Sequence, residues 1–380
     1  MLICNGKILT MAGKVIDNGF VKTNGRTITK IGEMSGSCTF SDVNEKIIDA
    51  KGGIVMPGLI DAHAHIGIME EKKGTIGDDC NESTRPVTAS LRAIDAINPM
   101  DAAFHEAIAT GITGVMVGPG SSNIIGGQFA FIKTHGRCID EMIVKAPAAV
   151  KAALGENPKV CYGDQNIYPS TRMANAAILR DTLRKAGDYN PRDGYDAEME
   201  ALLPVIHKEI PLKVHAHRAD DILTAIRIAK EFNIDITLDH CTEGHLIAKY
   251  IKESGFPAIV GTDLTSKNKI EVENMSFKTA GVLNKAGITT AITTDHPVAL
   301  IQYLPICAGL CVRAGLPMED AYKAITINAA KICRVDRYVG SLEAGKDADI
   351  AIFDGNPMNT FTNTLYTIIN GEIVYSKEDD

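Results

Sequence analysis

Short apolar runs alternate with longer amphipathic segments between residues 57 and 340, and this alternation restricts the possible folds more than any other feature of the chain. The predicted strands are LIDAHAHIG, TGVMVG, LKVHAH, ITLDHC, PAIVGT and TTAITTDH. The segments ADDILTAIRIAKEFN and FKTAGVLNKAG, by contrast, carry apolar residues at the spacing of a helix. Continuous apolar strands that alternate with helices predict a parallel sheet whose two faces are both covered.

Such a sheet can close into a barrel or stay open. About 280 residues of strand–helix units match a (β/α)₈ barrel, which usually takes roughly 250 residues plus insertions. The open, doubly wound sheet is the alternative, but no GxGxxG follows the first predicted strand. We therefore expect an α/β chain with a TIM-type (β/α)₈ barrel over residues 53–342. Two of its strands must lie between residues 118 and 210, where FAFIKTH, MIVKAPA and AVKAALG compete for them.

Both ends of the chain show a different pattern, in which short β-branched runs alternate with turn residues. Asn-Gly pairs at residues 5–6, 24–25 and 370–371 are typical of two-residue hairpin turns, which need positive φ angles. The shared pattern predicts one small β-sandwich domain built from residues 1–52 and 343–380. The barrel would then be an insertion between its two parts.

The charge balance and the cysteines limit the kinds of partner and the compartment. Thirty-nine Lys and Arg against 47 Asp and Glu give a net charge of −8, which disfavours binding to nucleic acid or to an anionic membrane. Nine cysteines without a CxxC pair indicate a reducing compartment. No apolar run reaches the roughly 18 residues of a membrane span. We therefore expect a cytoplasmic protein that acts on a small molecule.

Groups that bind metals stand at the carboxyl ends of four predicted strands. In a strand, residues i and i+2 point to the same face, so an HxH pair can direct two imidazoles at one point. The carboxyl ends of barrel strands all meet on one face. A single buried histidine is more often a hydrogen-bonded core residue, but four equivalent strand ends favour a metal site. The residues are His63, His65, His215, His217, His240, Asp295 and His296.

Over nearly its whole length the chain resembles the amidohydrolase superfamily. The resemblance rests on PGLIDAHAH, TGIT at residues 111–114, VHAH, LDHC, TTDHP and the closing GSLEAGKDADIAIFD. It implies a metal-dependent hydrolase with a (β/α)₈ barrel and a flanking β-sandwich, similar to the imidazolonepropionase-like and prolidase-like branches. Carried over to this sequence, the family's metal ligands are His63, His65, His215, His240 and Asp295.

The resemblance and the ligand types imply a divalent cation, with zinc as the best match and one or two ions per chain. Such an ion lowers the pKa of bound water to about 7 and polarises the substrate oxygen as a Lewis acid. Asp295 would accept a proton as metal-bound hydroxide attacks, and would then return that proton to the leaving nitrogen.

A two-ion member of the family needs an anionic bridging ligand, which is a carboxylated lysine or a glutamate from the third or fourth strand. Lys151 lies in the apolar run AAVKAAL, which favours its desolvation. Glu156 follows Gly155 near the expected strand end, where ligands usually lie, and Lys145 is a third candidate. The sequence places Glu156 slightly ahead of Lys151 and leaves both open.

Three further residues are candidates for substrate binding. His217 points the same way as His215 on an ideal strand, and His296 stands beside Asp295. Arg218 follows the HxH pair and could hold a substrate carboxylate, although a surface position is equally compatible with the sequence. The loop SSNIIGGQ at residues 121–128 lies where a barrel loop would contact substrate.

Taken together, these features predict an amidohydrolase that cleaves the carbon–nitrogen bond of an amide, a cyclic amide or a short peptide. One alternative is a one-metal deaminase that acts on a C=N bond. The other is a non-catalytic amidohydrolase-like scaffold, which the complete set of ligands disfavours. A homo-oligomer is compatible with all three, since such enzymes commonly form one.

Overall fold

The computed structural model describes residues 1–34, 46–71 and 74–378. Its strands are β1 (Leu2–Leu9), β2 (Val15–Asn24), β3 (Thr27–Glu33), β4 (Ile47–Asp49), β5 (Ile54–Pro57), β6 (Leu59–Ala64), β7 (Ile112–Val117), β8 (Ile125–Lys133), β9 (Ile143–Ala153), β10 (Leu212–Ala216), β11 (Ile236–His240), β12 (Ala258–Val260), β13 (Thr290–Ile292), β14 (Ile350–Phe353), β15 (Thr364–Ile369) and β16 (Glu372–Ser376). Its α-helices are α1 (Ala102–Ala109), α2 (Ile139–Met142), α3 (Glu156–Gly163), α4 (Arg172–Asp188), α5 (Ala197–Ile206), α6 (Ala219–Phe232), α7 (Ala248–Ser254), α8 (Lys278–Lys285), α9 (Leu304–Arg313), α10 (Met318–Ala324) and α11 (Ile327–Ile332).

Strands β6 to β13 lie side by side in chain order and form the predicted eight-stranded barrel, which is nearly closed. The six strands predicted from apolar runs are β6, β7 and β10 to β13. Asp61 on β6 connects the first strand to the segment after the last one. Its carboxylate accepts hydrogen bonds from Thr293 Oγ1 at 2.5 Å and from the backbone N–H and Oγ1 of Thr294 at 3.0 and 2.6 Å.

Strand β8 departs from an all-parallel barrel, because it runs antiparallel to both of its neighbours, β7 and β9. Residues 118–124 and 134–142 make the two connections. Both are shorter than the dozen or more residues that a parallel crossover needs, so the strand direction reverses at each connection. The segment FAFIKTH contributes to β8, whereas MIVKAPA and AVKAALG belong to one continuous strand, β9.

The two ends of the chain contribute to a second eight-stranded sheet. Its order is β16-β15-β14-β5-β1-β2-β3, with β4 paired to β1. Antiparallel pairing of β14 with β5 joins the carboxyl-terminal strands to the amino-terminal ones. The sheet includes β5 and so extends beyond residue 52. We propose this sheet as the framework of a composite domain, residues 1–52 and 343–380, that flanks a barrel of residues 53–342.

Two of the three Asn-Gly pairs lie at hairpin connections, as predicted: residues 24–25 at the end of β2 and residues 370–371 between β15 and β16. The prediction for the third pair is wrong, because Asn5 and Gly6 lie inside β1. Asn5 has a φ of 56°, and the register with β2 shifts between Ile3 and Gly6. Positive φ therefore serves a β-bulge here rather than a turn.

Within the described ranges, no helix combines the length and the apolar character that crossing a bilayer requires. No disulfide joins two cysteines within these ranges, and Cys38 lies outside them. Cys307 and Cys311 are both buried on α9.

Candidate metal centre

The first HxH pair forms a compact group with Asp295, and we call His63, His65 and Asp295 the Asp295 cluster. His63 lies near the end of β6 and His65 directly follows it. Nδ1 of His63 is 2.7 Å from Oδ2 of Asp239, and Nδ1 of His65 is 2.7 Å from the carbonyl oxygen of Gly118. The Nε2 atoms of His63 and His65 lie 3.5 and 3.3 Å from Oδ1 of Asp295. Both rings therefore have Nδ1 engaged and Nε2 close to one carboxylate oxygen.

The second HxH pair, at the end of β10, repeats this arrangement with a different acid. We call His215, His217 and Glu271 the Glu271 cluster. Nδ1 of His215 is 2.9 Å from Oγ of Ser121, and Nδ1 of His217 is 2.7 Å from Oγ1 of Thr242. Both Nε2 atoms lie 3.7 Å from Oε1 of Glu271. Glu271 is fully buried, and it lies in the loop between β12 and α8.

His240, at the end of β11, lies between the two clusters. Its ring centroid is 5.1 Å from that of His63 and 4.4 Å from that of His215. Nδ1 of His240 lies 2.8 Å from the carbonyl oxygen of Gly261, whereas Nε2 is buried without a hydrogen-bond partner among the described residues. Two sets of possible ligand atoms lie within 4.8 Å of one another: His215, His217 and His240, and His63, His240 and Asp295.

His240 and Asp295 both have a left-handed backbone conformation, with φ angles of 70° and 53°. Residues other than glycine adopt this region rarely, and such strain tends to concentrate at functional sites. In a regular strand, Asp239 and His240 would point to opposite faces. The left-handed backbone at His240 lets the side chains of Asp239 and His240 both reach the centre. Asp239 contacts Nδ1 of His63 there.

The three candidates for a bridging ligand lie in different places. Lys151, on β9, is fully buried, and its Nζ is 3.1 Å from Nε2 of His63. Glu156 begins α3, and its Oε2 accepts a hydrogen bond of 3.3 Å from the backbone N–H of Glu271. Lys145 lies near the start of β9, at the opposite end of the strand from the centre. Of the three side chains, Lys151 is the one in contact with an imidazole of the Asp295 cluster.

Burial controls the protonation of most of the imidazoles. It lowers the pKa of His63, His215, His217 and His240 by disfavouring the charged ring. Neutral imidazole is the form that binds a metal ion. Burial likewise lowers the pKa of Lys151 to about 8, so a neutral amine is accessible near physiological pH.

His65 and Asp295 carry the charges of the centre. Burial alone would lower the pKa of His65, but the nearby side chains of Cys80 and Asp295, which favour the protonated ring, outweigh it and raise this pKa to about 10. Burial would raise the pKa of Asp295, but His240, His65 and His63 hold it well below its usual range. An ionised carboxylate, neutral imidazoles and the unpartnered Nε2 of His240 together fit a divalent cation with nitrogen and oxygen ligands.

Sequence reasoning missed four residues that hold the centre in place. Asp239 receives hydrogen bonds from Thr237 Oγ1 at 2.7 Å, and Lys213 Nζ lies 3.1 Å from its Oδ2. Asp239 directly precedes His240 on β11, so the i and i+2 spacing does not mark it. The signal was available for Lys213, which lies two residues before His215 on β10. Asp61 shares that spacing on β6. Glu271 lies on a short 3₁₀ helix, Ile270–Val272, in the connection between β12 and α8, where no strand periodicity marks it.

The three residues predicted to bind substrate also lie in different surroundings from one another. His217 belongs to the Glu271 cluster. Arg218 forms a two-point ion pair with Asp220, with hydrogen bonds of 3.0 and 3.1 Å, in a partly exposed position. His296 is fully buried, and its Nδ1 accepts a hydrogen bond of 3.1 Å from the backbone N–H of Ile301. Arg218 and His296 are thus hydrogen-bonded to other residues of the protein.

Comparisons with known proteins agree with this fold. Residues 54–374 match the model of the amidohydrolase family. A solved amidohydrolase from Thermotoga maritima is 37% identical, with a TM-score of 0.94 over 99% of this chain and 100% of the other. An imidazolonepropionase from Picrophilus torridus is 26% identical over 91% of both chains. The amidohydrolase tasK of Hapsidospora irregularis is 26% identical over 86% of this chain, which spans only 37% of that relative.

The family match covers most of the chain and includes every strand of the barrel. The ligand residues that the family resemblance implied lie at the carboxyl ends of β6, β10, β11 and β13, within one centre. The chain therefore belongs to the amidohydrolase family, and it is a hydrolase that acts on carbon–nitrogen bonds.

Proposed function

We propose that the protein hydrolyses an amide, a cyclic amide or a short peptide of small size with the help of a divalent cation. The observation that carries the proposal is the convergence of two HxH pairs, His240 and Asp295 on one face of the barrel. Five residues of this set are the ligands that we propose. They are His63, His65, His215, His240 and Asp295.

The chemistry of the centre requires one or two ions, for which zinc is the best match to imidazole and carboxylate ligands. When bound, such an ion activates water as a nucleophile and polarises the oxygen of the scissile group. The protein contributes fixed imidazoles: the contacts at Nδ1 of His63 and His65 direct Nε2 of each ring toward Asp295.

Lys151, as its carbamate, is the ligand that we propose for an ion of the Asp295 cluster, in preference to Glu156. Its neutral amine can attack carbon dioxide, forming an N–C bond and releasing one proton, so that the product is an anionic carbamate. Contact with His63 and a pKa of about 8 support this assignment. Glu156, in contrast, is engaged with the backbone of Glu271.

Asp295 is the proton carrier in this proposal. Its carboxylate is ionised, because neighbouring histidines hold its pKa well below the usual range. It can therefore accept a proton from attacking water at the start of the reaction. Later it can donate this proton to the leaving nitrogen, which must be protonated before the carbon–nitrogen bond breaks.

A substrate panel tests the proposal directly. Purified protein loaded with Zn²⁺ would be incubated with N-acetyl amino acids, Xaa-Pro dipeptides and cyclic amides, and release of amine would be measured. We expect turnover that His63→Ala abolishes and that His105→Ala, an exposed histidine on α1, leaves unchanged. Turnover by His63→Ala at the wild-type rate would refute the ligand assignment.

The same panel separates the alternatives from the sequence. Ammonia release from adenosine or cytosine, with one ion per chain and no amide hydrolysis, would favour the deaminase. Failure to bind any divalent ion would favour the scaffold. Two further proposals rest on the sequence: a cytoplasmic location, from nine cysteines without a CxxC pair, and a homo-oligomer. Fractionation of cells and sedimentation velocity test them.

A further inference from the structure

The two clusters share a detailed plan that the family resemblance does not require. In each, an HxH pair ends a barrel strand, and each Nδ1 has a hydrogen-bonding partner. In each, both Nε2 atoms lie near a single carboxylate oxygen, at 3.5 and 3.3 Å in the Asp295 cluster and at 3.7 Å in the Glu271 cluster. A metal-binding histidine almost always donates its other ring N–H in this way.

His240 supplies a further imidazole to the Glu271 cluster. Its ring is stacked on that of His217 with centroids 4.8 Å apart, and its ring centroid is 4.4 Å from that of His215. Because Nδ1 is held by the Gly261 carbonyl, the unpartnered and buried Nε2 is the atom left for a ligand. The ligand atoms of the three histidines lie within 4.8 Å of one another.

Two polar side chains border the Glu271 cluster. Lys269 Nζ lies 3.4 Å from Oε1 of Glu271, and it donates a hydrogen bond of 2.6 Å to Oδ1 of Asn157. Nδ2 of Asn157 in turn lies 3.4 Å from Nε2 of His215. The side chain of Lys269 is one-third exposed, so its ammonium can move into solvent. It is thus a cation that a metal ion bound to Glu271 would displace.

We infer that His217 and Glu271 are metal ligands, which together with His215 and His240 form a complete four-ligand position for a divalent cation. This inference rests on the proposed function for His215 and His240 only. Three imidazoles and one carboxylate satisfy the four-coordinate preference of zinc. An ion there needs no bridging lysine, and its filled coordination leaves no place for water. Hydrolysis then belongs to the Asp295 cluster.

Metal binding by matched variants tests the inference without reference to turnover. Full-length protein would be dialysed against Co²⁺, with bound metal measured by mass spectrometry and its coordination by visible absorption. Wild type should bind two ions, one of them with the strong absorption of four-coordinate Co²⁺. His217→Gln and Glu271→Gln should lose that absorption and should bind one of the two ions at least about tenfold more weakly. His105→Gln and Glu273→Gln, an exposed acid of the same loop, are the controls.

Two more variants keep the test decisive if the buried substitutions disturb folding. Lys269→Met removes the competing ammonium and should tighten the four-coordinate ion several-fold. Lys151→Met should weaken the ion of the Asp295 cluster and leave the four-coordinate absorption in place. Loss of both ions in Lys151→Met, or unchanged binding of two ions by His217→Gln, would overturn the inference. Failure of the proposed hydrolysis is distinct, because it would appear as missing turnover in a protein that binds both ions.

Discussion

The two histidine clusters have the same contacts at Nε2 but rest on different supports. Beneath the Asp295 cluster, His63 contacts Asp239, which is itself paired with the buried ammonium of Lys213. Around the Glu271 cluster, the Nδ1 partners are the neutral hydroxyls of Ser121 and Thr242. One cluster is held by buried charges in the barrel, and the other by uncharged groups and a loop carboxylate.

In our proposal, this difference lets one barrel hold two metal positions with separate tasks. A carboxylate partner makes an imidazole a stronger ligand and fixes its orientation, which suits a site where chemistry must be precise. A hydroxyl partner orients the ring without adding charge. The acid of the Asp295 cluster follows a barrel strand, whereas Glu271 lies in a loop. We therefore expect substitutions at the Asp295 cluster to have the larger effects.

Removal of the two acids tests the division of labour and should have the largest effect. Asp295→Asn cannot carry the proton, so turnover should fall by about 10²–10⁴-fold, the usual contribution of acid–base catalysis. The loss of turnover in Glu271→Gln should be at least about tenfold smaller than in Asp295→Asn, because the Glu271 carboxylate holds an ion without moving a proton. Steady-state kinetics on the best panel substrate would measure both. Equal losses would show that the clusters share one catalytic task.

Lys213→Met tests whether the Asp295 cluster depends on buried charge. The substitution leaves the fully buried Asp239 without its ammonium partner. Breaking a buried ion pair from one side costs about 3–5 kcal/mol. Urea unfolding of metal-free protein should show a loss of this order, with Lys269→Met, whose side chain is partly exposed, as the milder control. An unchanged free energy of unfolding would mean that the contact with His63 is enough to stabilise the buried carboxylate of Asp239.

A matched pair of substitutions compares the two supports by their effect on metal affinity. Asp239→Asn should weaken the ion of the Asp295 cluster by about 10–100-fold, as is usual for the loss of a ligand's charged partner. Ser121→Ala removes a neutral hydrogen bond from His215 and should weaken the ion of the Glu271 cluster less, since hydrogen bonds to charged groups are about twice as strong. Competition with a coloured chelator would measure both affinities. The reverse order would contradict the comparison.

The pH dependence of metal loading should differ between the clusters. The folded-state pKa of Lys151 is lowered by burial to about 8, so the amine is charged below that pH and neutral above it. Only the neutral amine reacts with carbon dioxide, so loading of the Asp295 cluster should fall by up to about tenfold per pH unit below 8. Metal loading of the Glu271 cluster should not show this pH dependence. Titration of Co²⁺ binding at fixed bicarbonate, with Lys151→Met as control, measures the difference.

Some of the site could be predicted because strand periodicity is a local property. His63 and His65, or His215 and His217, share a face whatever surrounds them, because every second side chain of a strand points the same way. The alternation of strands and helices also predicted the barrel, which brings strand ends together. The same rule would have found Lys213, which lies two residues before His215 on β10.

Other features depend on contacts that no local pattern encodes. The reversed direction of β8 follows from two short connections whose partners are set by the closed sheet. Asn5 and Gly6 have the composition of a turn, but pairing of β1 with β2, β4 and β5 keeps the strand continuous and makes a bulge. Local propensity is overruled here by the hydrogen bonds of neighbouring strands.

By itself, then, the sequence determined which residues end the barrel strands and which of them are imidazoles and carboxylates, because these follow from composition and from periods of two and 3.6 residues. Only the tertiary structure decided that Lys151, rather than Glu156, contacts His63, and that Glu271 joins the second HxH pair. The reason is physical: the position of a side chain beyond a strand end depends on the path of its loop, and that path is set by packing between segments distant in sequence.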